Sequence, residues 1–220
     1  MRRGGKPKER VDRTWSPKLA YAIGLLATDG CLSGDGRHLE FSSKDKEQVR
    51  NFIGYLGIKN KITQKLSGHS KKFYPRVQFG DVVFYRFLIQ IGLTTAKSKT
   101  LGQLDIPKKY FFDFLRGSFD GDGTFYSYWD PRWKSSYMFY TVFISASKVH
   151  IDWIRECLFE HMKVRGHITH DGRKITYQLK YAKRESLKIL RKMYYDRAVV
   201  CLKRKRLKIE RALRIIGERL

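Results

Sequence analysis

The chain has 220 residues, of which 42% are hydrophobic, so it is long enough to bury a core as one large domain or as two small ones. Its 46 Lys and Arg residues against 21 Asp and Glu give a formal net charge of +25, a surplus that indicates a polyanionic partner, most simply nucleic acid. No apolar stretch is long enough to span a membrane, no cleavable signal pattern begins the chain, and the three cysteines lack paired spacing, so we expect a soluble intracellular protein without a disulfide framework.

The first half of the chain predicts a basic arm followed by alternating helices and hairpins. Residues 1–13 are basic and poor in apolar side chains, which predicts a flexible arm that is either solvated or in contact with the polyanion. Ser16 and Pro17 then supply the N-cap and the first residue of an apolar helix. Apolar periodicity and turn residues predict a hairpin over 31–43, a helix over 44–56, a hairpin over 58–79 and a helix over 82–91.

The same order of elements repeats in the second half. Pro107 begins a second apolar helix, residues 124–145 and 164–179 are predicted hairpins, and residues 149–162 and 185–194 are predicted helices. A final helix is expected to place these apolar residues on one face: Ile209, Leu213, Ile216 and Leu220. The predicted fold is α+β, with the order αββαββα present twice, in a first repeat over 14–105 and a second repeat over 106–220.

The helices that open the two repeats share a glycine in mid-helix and a terminal Asp-Gly pair. Gly24 is followed by Asp29, and Gly117 by Asp122, which is 93 residues further along the chain than Asp29. Glycine inside a helix costs about 1 kcal/mol relative to alanine, so both helices are expected to need the missing side chain for close approach of two backbones. If the helices pack in parallel, Asp29 and Asp122 lie side by side at the same end.

Two carboxylates at neighbouring helix C-termini are electrostatically unfavourable. The partial negative charge at a helix C-terminus repels a carboxylate by about 0.3–1 kcal/mol, and the second carboxylate adds to that cost. A divalent cation reverses both effects, because Mg²⁺ is held by one or two carboxylates together with waters and substrate phosphate oxygens. A divalent cation bound between Asp29 and Asp122 would therefore remove the electrostatic cost of placing them together.

The residues around these acids resemble a known signature. The stretch LRGSFDGDG over 115–123 resembles the nine-residue motif of the LAGLIDADG homing endonucleases, and AIGLLATDG over 22–30 resembles a degenerate second copy. The resemblance implies a single-chain, two-motif member of that family, with the signature helices packed at the centre and two antiparallel sheets forming a DNA-binding saddle. It covers nearly the whole chain.

The resemblance also assigns roles to residues within the motif. It implies that the last acid of each copy, Asp29 or Asp122, is the metal ligand, with the backbone carbonyls of Thr28 and Gly121 as co-ligands. Asp120 matches the first acid of the motif, and its counterpart in the first copy is alanine. We therefore do not expect Asp120 to take part in the chemistry.

The family further places a basic residue near each scissile phosphate. Lys97 and Lys205 follow the third helix of their repeats and are the candidates, with Lys99 and Arg204 as close alternatives. A lysine there orients the attacking water, stabilises developing charge, or simply contacts a phosphate, and the sequence leaves these roles open. Two serines at matching strand ends are expected to order water: Ser43 and Ser147.

The four hairpins carry polar side chains suited to DNA. In a sheet with one face on the core, alternate side chains are offered to a ligand on the other face. Arg, Lys, Gln and Glu read base edges in the major groove, while surplus Lys and Arg contact phosphates. The candidate contacts are Arg37, Glu40, Ser42, Lys72, Arg76, Gln78, Tyr126, Tyr128, Arg132, Lys134, Tyr140, Arg173, Lys174, Gln178 and Lys180.

The resemblance implies a monomeric, intron-encoded endonuclease that makes a site-specific double-strand break in DNA. It implies a long pseudo-palindromic target, short 3′ overhangs, and Mg²⁺ or Mn²⁺ as cofactor, with Ca²⁺ binding without supporting cleavage. Two alternatives stay open: an intron maturase that binds RNA, since the charge suits RNA equally well, and a DNA-binding regulator that keeps the fold without cutting. The presence of both Asp29 and Asp122 favours cutting over regulation.

Overall fold

The first repeat begins with a helix whose ends are set by local sequence. In the computed structural model, which describes residues 9–67, 71–170, 172 and 175–220, the Ser16 Oγ accepts a hydrogen bond from the Leu19 N–H at 3.2 Å and caps this helix. The elements of the repeat are α1 (Pro17–Asp29), β1 (Gly30–Leu32), β2 (His38–Ser42), α2 (Lys46–Leu56), β3 (Thr63–Leu66), β4 (Phe73–Gly80) and α3 (Val82–Gln90).

The second repeat has the same order of elements. After a 3₁₀ turn (Lys108–Tyr110) it contains α4 (Phe111–Gly121), β5 (Thr124–Trp129), β6 (Tyr137–Ser145), α5 (Lys148–Met162), β7 (His167–His170), β8 (Tyr177–Ala182) and α6 (Lys183–Met193), and a last helix α7 (Lys203–Ile215) follows. The predicted order αββαββα, present twice, is confirmed. None of the helices in the described ranges combines the length and the apolar character that crossing a membrane requires.

Each repeat has one antiparallel sheet of four strands. The strand orders are β1-β2-β4-β3 and β5-β6-β8-β7. Along β2, Leu39 and Phe41 are buried and alternate with partly exposed neighbours, and Val77 and Phe79 do the same on β4. Each sheet therefore covers the core with one face and leaves the other, which we call the open face, accessible.

Helices α1 and α4 pack backbone to backbone in parallel at the centre of the molecule. A Cβ atom built on Gly24 would lie 2.2 Å from the Phe114 carbonyl oxygen, and one built on Gly117 would lie 2.1 Å from the Tyr21 carbonyl oxygen. Neither distance is compatible with a side chain, so glycine is required at both crossing points. Further along the same contact, Gly121 meets Thr28, so the two helices run in the same direction.

The last helix bridges the two repeats. Ile209 and Leu213 of α7 are buried, as predicted, but the expected face does not continue, because the helix ends at Ile215 and Gly217 adopts a left-handed conformation with φ +73°. Ile216 and Leu220 pack against the core from outside the helix. Before α7, the Val200 N–H donates to the Tyr55 hydroxyl at 3.1 Å, which ties the second repeat to the first.

Part of the predicted N-terminal arm is docked on the first repeat. The backbone N–H groups of Arg10 and Val11 donate to Asp81 Oδ2 at 2.7 and 3.1 Å, and Val11 is buried. The other oxygen of Asp81 caps α3 by accepting the Phe84 N–H at 2.8 Å. The expectation of a flexible arm is therefore wrong for these residues, since one carboxylate anchors both the arm and a helix; residues 1–8 of the arm lie outside the described part of the chain.

Candidate active site and nucleic-acid interface

The two signature acids stand at the ends of the paired central helices. Asp29 is the last residue of α1, and Asp122 directly follows the last residue of α4. Both line one cleft, which reaches Ser42 and Ser43 at the end of β2. Asp122 also lines a second cleft, which reaches Ser145 at the end of β6. Both acids are therefore reached from the cleft beside the first sheet, and Asp122 is also reached from the cleft beside the second sheet.

Burial raises the pKa of both signature carboxyl groups, and the charge of Asp122 raises that of Asp29 further. Desolvation is the largest cause that raises the pKa of Asp29 to about 7, followed by the negative charge of Asp122, against the opposing charges of Lys205 and Lys97. Desolvation also raises the pKa of Asp122, again opposed by both lysines. The negative charge of Asp122 thus disfavours ionisation of Asp29.

The donor set of this site suits a divalent cation that also binds phosphate. Two carboxylates alone do not complete a coordination shell, and the described residues provide no cluster of three or more His, Cys, Asp or Glu side chains around a common point. The missing ligands are then water, substrate phosphate and backbone carbonyls, as Mg²⁺ prefers. The Gly121 carbonyl oxygen lies 3.2 Å from Lys205 Nζ, so an ammonium group already occupies one side of this predicted co-ligand.

Two buried lysines flank the acids with matching geometry. Lys97 and Lys205 are only 6% and 8% exposed. The Lys97 ammonium donates to the carbonyl of Gly30, the residue after Asp29, and the Lys205 ammonium donates to the carbonyl of Gly123, the residue after Asp122, at 2.6 Å. Burial lowers the pKa of both ammonium groups, to about 8 for Lys205. Each lysine therefore supports the backbone beside one acid.

The alternative basic residues point elsewhere. Lys99 is exposed, and Arg204 makes a bidentate ion pair with Asp45, with N–O distances of 2.7 and 3.1 Å. The guanidinium and Asp45 do line the first cleft, but they contact each other rather than the signature acids. Position in the fold thus separates Lys97 and Lys205 from their neighbours.

The two serines predicted to order water have structural partners. The Ser43 hydroxyl donates to Gln48 Oε1 at 2.6 Å. The Ser147 hydroxyl donates to the Leu101 carbonyl at 2.6 Å and accepts from the His150 N–H at 3.4 Å, which caps α5. Ser43 lines the first cleft, whereas the hydroxyl of Ser147 is committed to the cap and to the chain before the second repeat.

The open face of the first sheet carries a connected polar set. Glu40 and Gln78 are directly paired across β2 and β4, and so are Ser42 and Arg76. Glu40 accepts hydrogen bonds from the Lys65 ammonium and, at 3.3 Å, from the Arg76 guanidinium. Arg37 is apart from this set: it lies in the turn before β2 and lines a groove against α3, because its position is out of phase with the even-numbered open-face residues.

The open face of the second sheet carries an aromatic stack. The rings of Tyr126, Tyr128 and Tyr140 lie with centroids 5.1–6.4 Å apart and planes within 18° of parallel. Gln178 and Lys180 of β8 belong to the same face, where they pair with Ile144 and Val142 of β6. A stacked, pre-ordered ring cluster presents its edges and hydroxyls to a ligand with little side-chain entropy left to lose.

Three further candidate contacts lie in loops. Lys72 is exposed just before β4, and Arg132 and Lys134 are exposed in the loop between β5 and β6, where Arg132 pairs with Asp130. Arg173 and Lys174 lie outside the described residues. These positions suit contact with a phosphate backbone at the edges of a sheet rather than with base edges.

Sequence reasoning missed the buried polar network behind the site. The Arg116 side chain is 1% exposed, forms an ion pair with Asp113 at 2.8 Å, and donates to the Met193 carbonyl at 2.7 Å. Asp120 accepts the Tyr21 hydroxyl and the Leu202 N–H, both at 2.8 Å. Charged residues within an apolar signature were the available signal, because such groups are buried only when paired.

Comparison with known proteins identifies the fold. Residues 16–92 match a family model described as a LAGLIDADG-like domain. The comparison with curated proteins found no match. Among solved structures, the meganuclease I-SmaMI bound to uncleavable DNA is similar at 11% identity and a TM-score of 0.60, over 92% of this chain and 93% of that one.

Two further solved structures are similar to this chain. I-DmoI in complex with DNA and Mn is similar at 16% identity and a TM-score of 0.53, over 82% of this chain and 97% of that one. The N-terminal LAGLIDADG domain of DUF199/WhiA is similar at 16% identity and a TM-score of 0.54, over 91% of this chain and 89% of that one. At these identities the likeness establishes the fold, which is shared by nucleases and by WhiA.

Proposed function

We propose that this chain, which has the LAGLIDADG fold and a LAGLIDADG-like domain over residues 16–92, is a divalent-metal-dependent endonuclease that cuts both strands of a specific DNA duplex. The observation that carries the proposal is the placement of Asp29 and Asp122 at one end of the α1–α4 pair, between two open sheet faces. A protein that only bound DNA would have no use for two repelling, partly desolvated carboxylates at that point.

The chain's own residues would bind and orient the DNA. The open faces of the two sheets would contact the two halves of a long pseudo-palindromic target, since the repeats share a fold but differ in side chains. Two clefts that both reach Asp122 give each DNA strand a route to the acids. In line with the family resemblance, the two cuts would leave short 3′ overhangs, and one chain with two repeats would act as a monomer.

The acids and lysines have distinct roles in this proposal. Asp29 and Asp122 would hold Mg²⁺ or Mn²⁺, which when bound polarises the scissile phosphate and stabilises the entering and leaving oxygens. Lys97 and Lys205, fixed on the carbonyls of Gly30 and Gly123, would stabilise negative charge that develops on the phosphate of one strand each. Ca²⁺ would bind the same carboxylates without supporting cleavage.

A randomised duplex library tests the proposal, because the target need not be known. Purified protein is incubated with the library and Mg²⁺, and ends created by cleavage are ligated and sequenced. We expect a single long consensus with a staggered break at its centre, and no products when EDTA replaces Mg²⁺. Enrichment of a bound consensus with no cleaved ends would instead identify a non-cutting DNA-binding protein.

Substitutions of residues that read bases should affect DNA binding differently from substitutions of residues that contact phosphates. We expect Gln78→Ala and Gln178→Ala to relax base preference at particular positions, because an amide pairs bidentately with an adenine edge and contributes about 1–3 kcal/mol of discrimination. Lys72→Ala should weaken binding almost uniformly across sequences and flatten its salt dependence. A site-saturation profile of the target measures both effects.

The positions of the two losses provide the control. Gln78 and Gln178 belong to different sheets, so their lost preferences should map to opposite sides of the break. If both variants shift preference on the same side, or neither shifts it anywhere, the assignment of one repeat to each half-site is wrong.

Metal binding should depend on pH through the acid pair. Because the folded pKa of Asp29 lies near 7, above its unfolded value, the neutral acid stabilises the metal-free fold at low pH and this contribution is lost as the pH rises through about 7. A cation replaces the lost proton above that pH. We expect Mg²⁺ at about 100 times its Kd to raise Tm by roughly 5–11 °C at about pH 8, and by less than half as much at about pH 5.5.

The control for this prediction is the protein without one acid. In Asp29→Asn the Mg²⁺-induced shift in Tm should be small at both pH values, as measured by differential scanning calorimetry. An equally large shift at both pH values in the wild-type protein would show that the cation binds somewhere other than the acid pair.

A further inference from the structure

We infer that Asp120 is a positioning residue that holds Lys205 beside one DNA strand, so that its loss slows cleavage of that strand alone. The inference rests on the proposed endonuclease function and concerns a residue with no expected part in the chemistry. Asp120 is 1% exposed and lies on α4 two residues before Asp122.

Hydrogen bonds connect α4 to the start of α7, and the Lys205 side chain of α7 reaches back to the end of α4. Asp120 Oδ2 accepts the Leu202 N–H at 2.8 Å, and Leu202 is the residue that caps α7. Lys205 lies in the first turn of α7, where its N–H donates to the Leu202 carbonyl at 2.9 Å. Its ammonium then returns to the end of α4, with donor–acceptor distances of 2.5 Å to the Phe119 carbonyl and 2.6 Å to the Gly123 carbonyl.

The charge of Asp120 also favours this arrangement. A carboxylate at the first N–H groups of a helix interacts well with the positive end of the helix dipole. The same oxygen accepts the Tyr21 hydroxyl of α1 at 2.8 Å, so the start of α7 is fixed to both central helices at once. The other oxygen, Oδ1, is buried without a hydrogen-bond partner among the described residues, which is a costly arrangement for a residue with only a packing role.

The first repeat positions Lys97 without a carboxylate equivalent to Asp120. The position equivalent to Asp120 is Ala27, 93 residues earlier, which has no hydrogen-bonding side chain. Lys97 lies in a turn over 95–100, after Ala96 with φ +50°, and not at the start of a helix docked on a carboxylate. Removing the Asp120 carboxylate should therefore release Lys205 and leave Lys97 in place.

Strand-resolved cleavage tests the inference. A duplex target with a different fluorophore on each strand is cut by wild type, Asp120→Ala, Asp120→Asn, Lys205→Met and Lys97→Met. We expect Asp120→Ala to slow one strand by about ten-fold to 10²-fold, since a 1 Å misplacement in an active site costs about 10²-fold, and to leave the other within about three-fold. The slowed strand should be the one slowed by Lys205→Met and not the one slowed by Lys97→Met, so nicked DNA accumulates.

Two control variants, Asp120→Asn and Thr141→Val, distinguish a loss of Lys205 positioning from a general loss of stability. Asp120→Asn keeps a carbonyl that accepts the Leu202 N–H, so it should show the same strand bias to a smaller degree, and it serves if the alanine variant folds poorly. Thr141→Val removes another buried hydrogen bond of the second repeat, the 2.5 Å contact with Ser186, and should slow both strands equally or neither. Equal slowing of both strands in both Asp120 variants would overturn the inference.

A measurement independent of cutting keeps the inference distinct from the proposed function. Acetic anhydride labelling followed by mass spectrometry reports the accessibility of each lysine. We expect Lys205 to be protected in wild type and labelled several-fold faster in Asp120→Ala, with Lys97 unchanged. If wild type cuts neither strand but this labelling pattern appears, the proposed function fails and the positioning role stands; unchanged Lys205 labelling in both Asp120 variants contradicts the positioning role.

Discussion

Replacing either signature acid by asparagine should reduce the rate of double-strand cleavage by at least about 10³-fold. A bound cation contributes several kcal/mol of charge stabilisation in the transition state, and each 1.36 kcal/mol is a factor of ten in rate. Asp29→Asn and Asp122→Asn each remove one of the two signature carboxylates that line the first cleft. Specific DNA binding should survive, because neither residue belongs to the open faces of the sheets.

The same substitutions should leave the metal-free protein as stable as wild type, or more stable. Burial disfavours the charged form of both carboxylates, and the charge of Asp122 adds to this cost at Asp29, so a neutral amide removes an unfavourable interaction. Cleavage is measured on the selected target, and Tm is measured in EDTA. Loss of activity with unchanged or increased Tm separates a functional carboxylate from a structural one.

The matched control is an exposed carboxylate away from the site. Asp105→Asn carries the same change in charge and shape at a position exposed between the repeats, and should cleave at the wild-type rate. Wild-type cleavage by Asp29→Asn or Asp122→Asn would remove the metal assignment, and with it the proposed mechanism.

Side chains introduced at the central helix crossing should reduce both stability and cleavage. In Gly24→Leu and Gly117→Leu the first added atom already falls 2.2 or 2.1 Å from a backbone carbonyl oxygen that cannot rotate away. Helices α1 and α4 must then separate, at a cost of about 1–3 kcal/mol or more. Because both acids sit at the end of this pair, the separation should also reduce cleavage by about 10²-fold.

A second mid-helix glycine supplies the control. Gly54 of α2 is exposed, and a Cβ built there meets no heavy atom within 4 Å. Gly54→Ala should therefore stabilise the protein by about 0.5–1 kcal/mol through helix propensity and reduced unfolded-state entropy. Thermal unfolding and cleavage assays measure the series, and wild-type Tm and activity in Gly24→Leu would show that the helices do not meet there.

Local patterns determined the element order and the pair of acids. Periodic apolar residues, the cap at Ser16 and the Asp-Gly turns each act over a few residues, so the sequence could define two copies of αββαββα. The glycines at 24 and 117 also predicted a close crossing, because a mid-helix glycine present in both copies indicates close backbone approach, and the structure shows that the crossing is parallel. Once that crossing is set, Asp29 and Asp122 necessarily meet at the same end.

The tertiary structure alone decided which basic residues approach the acids. Arg204 and Lys205 are adjacent in sequence, but successive side chains on a helix point about 100° apart, so one faces Asp45 and the other enters the core. Lys97 and Lys99 are separated in the same way by a turn whose conformation the sequence does not specify. The direction in which each side chain of a charged run points therefore depends on the elements that pack around the run.

Long-range contacts also decided the roles of two residues to which the sequence assigned no structural role. Asp120 meets Leu202 across 82 residues, and Val11 meets Asp81 across 70, which no periodicity within either segment indicates. The sequence by itself determined the repeats, their signature helices and the two acids, because those depend on spacing within an element. Only the folded chain determined the docked arm, the inward lysines and the carboxylate behind Lys205, because those depend on which distant backbone groups need a partner.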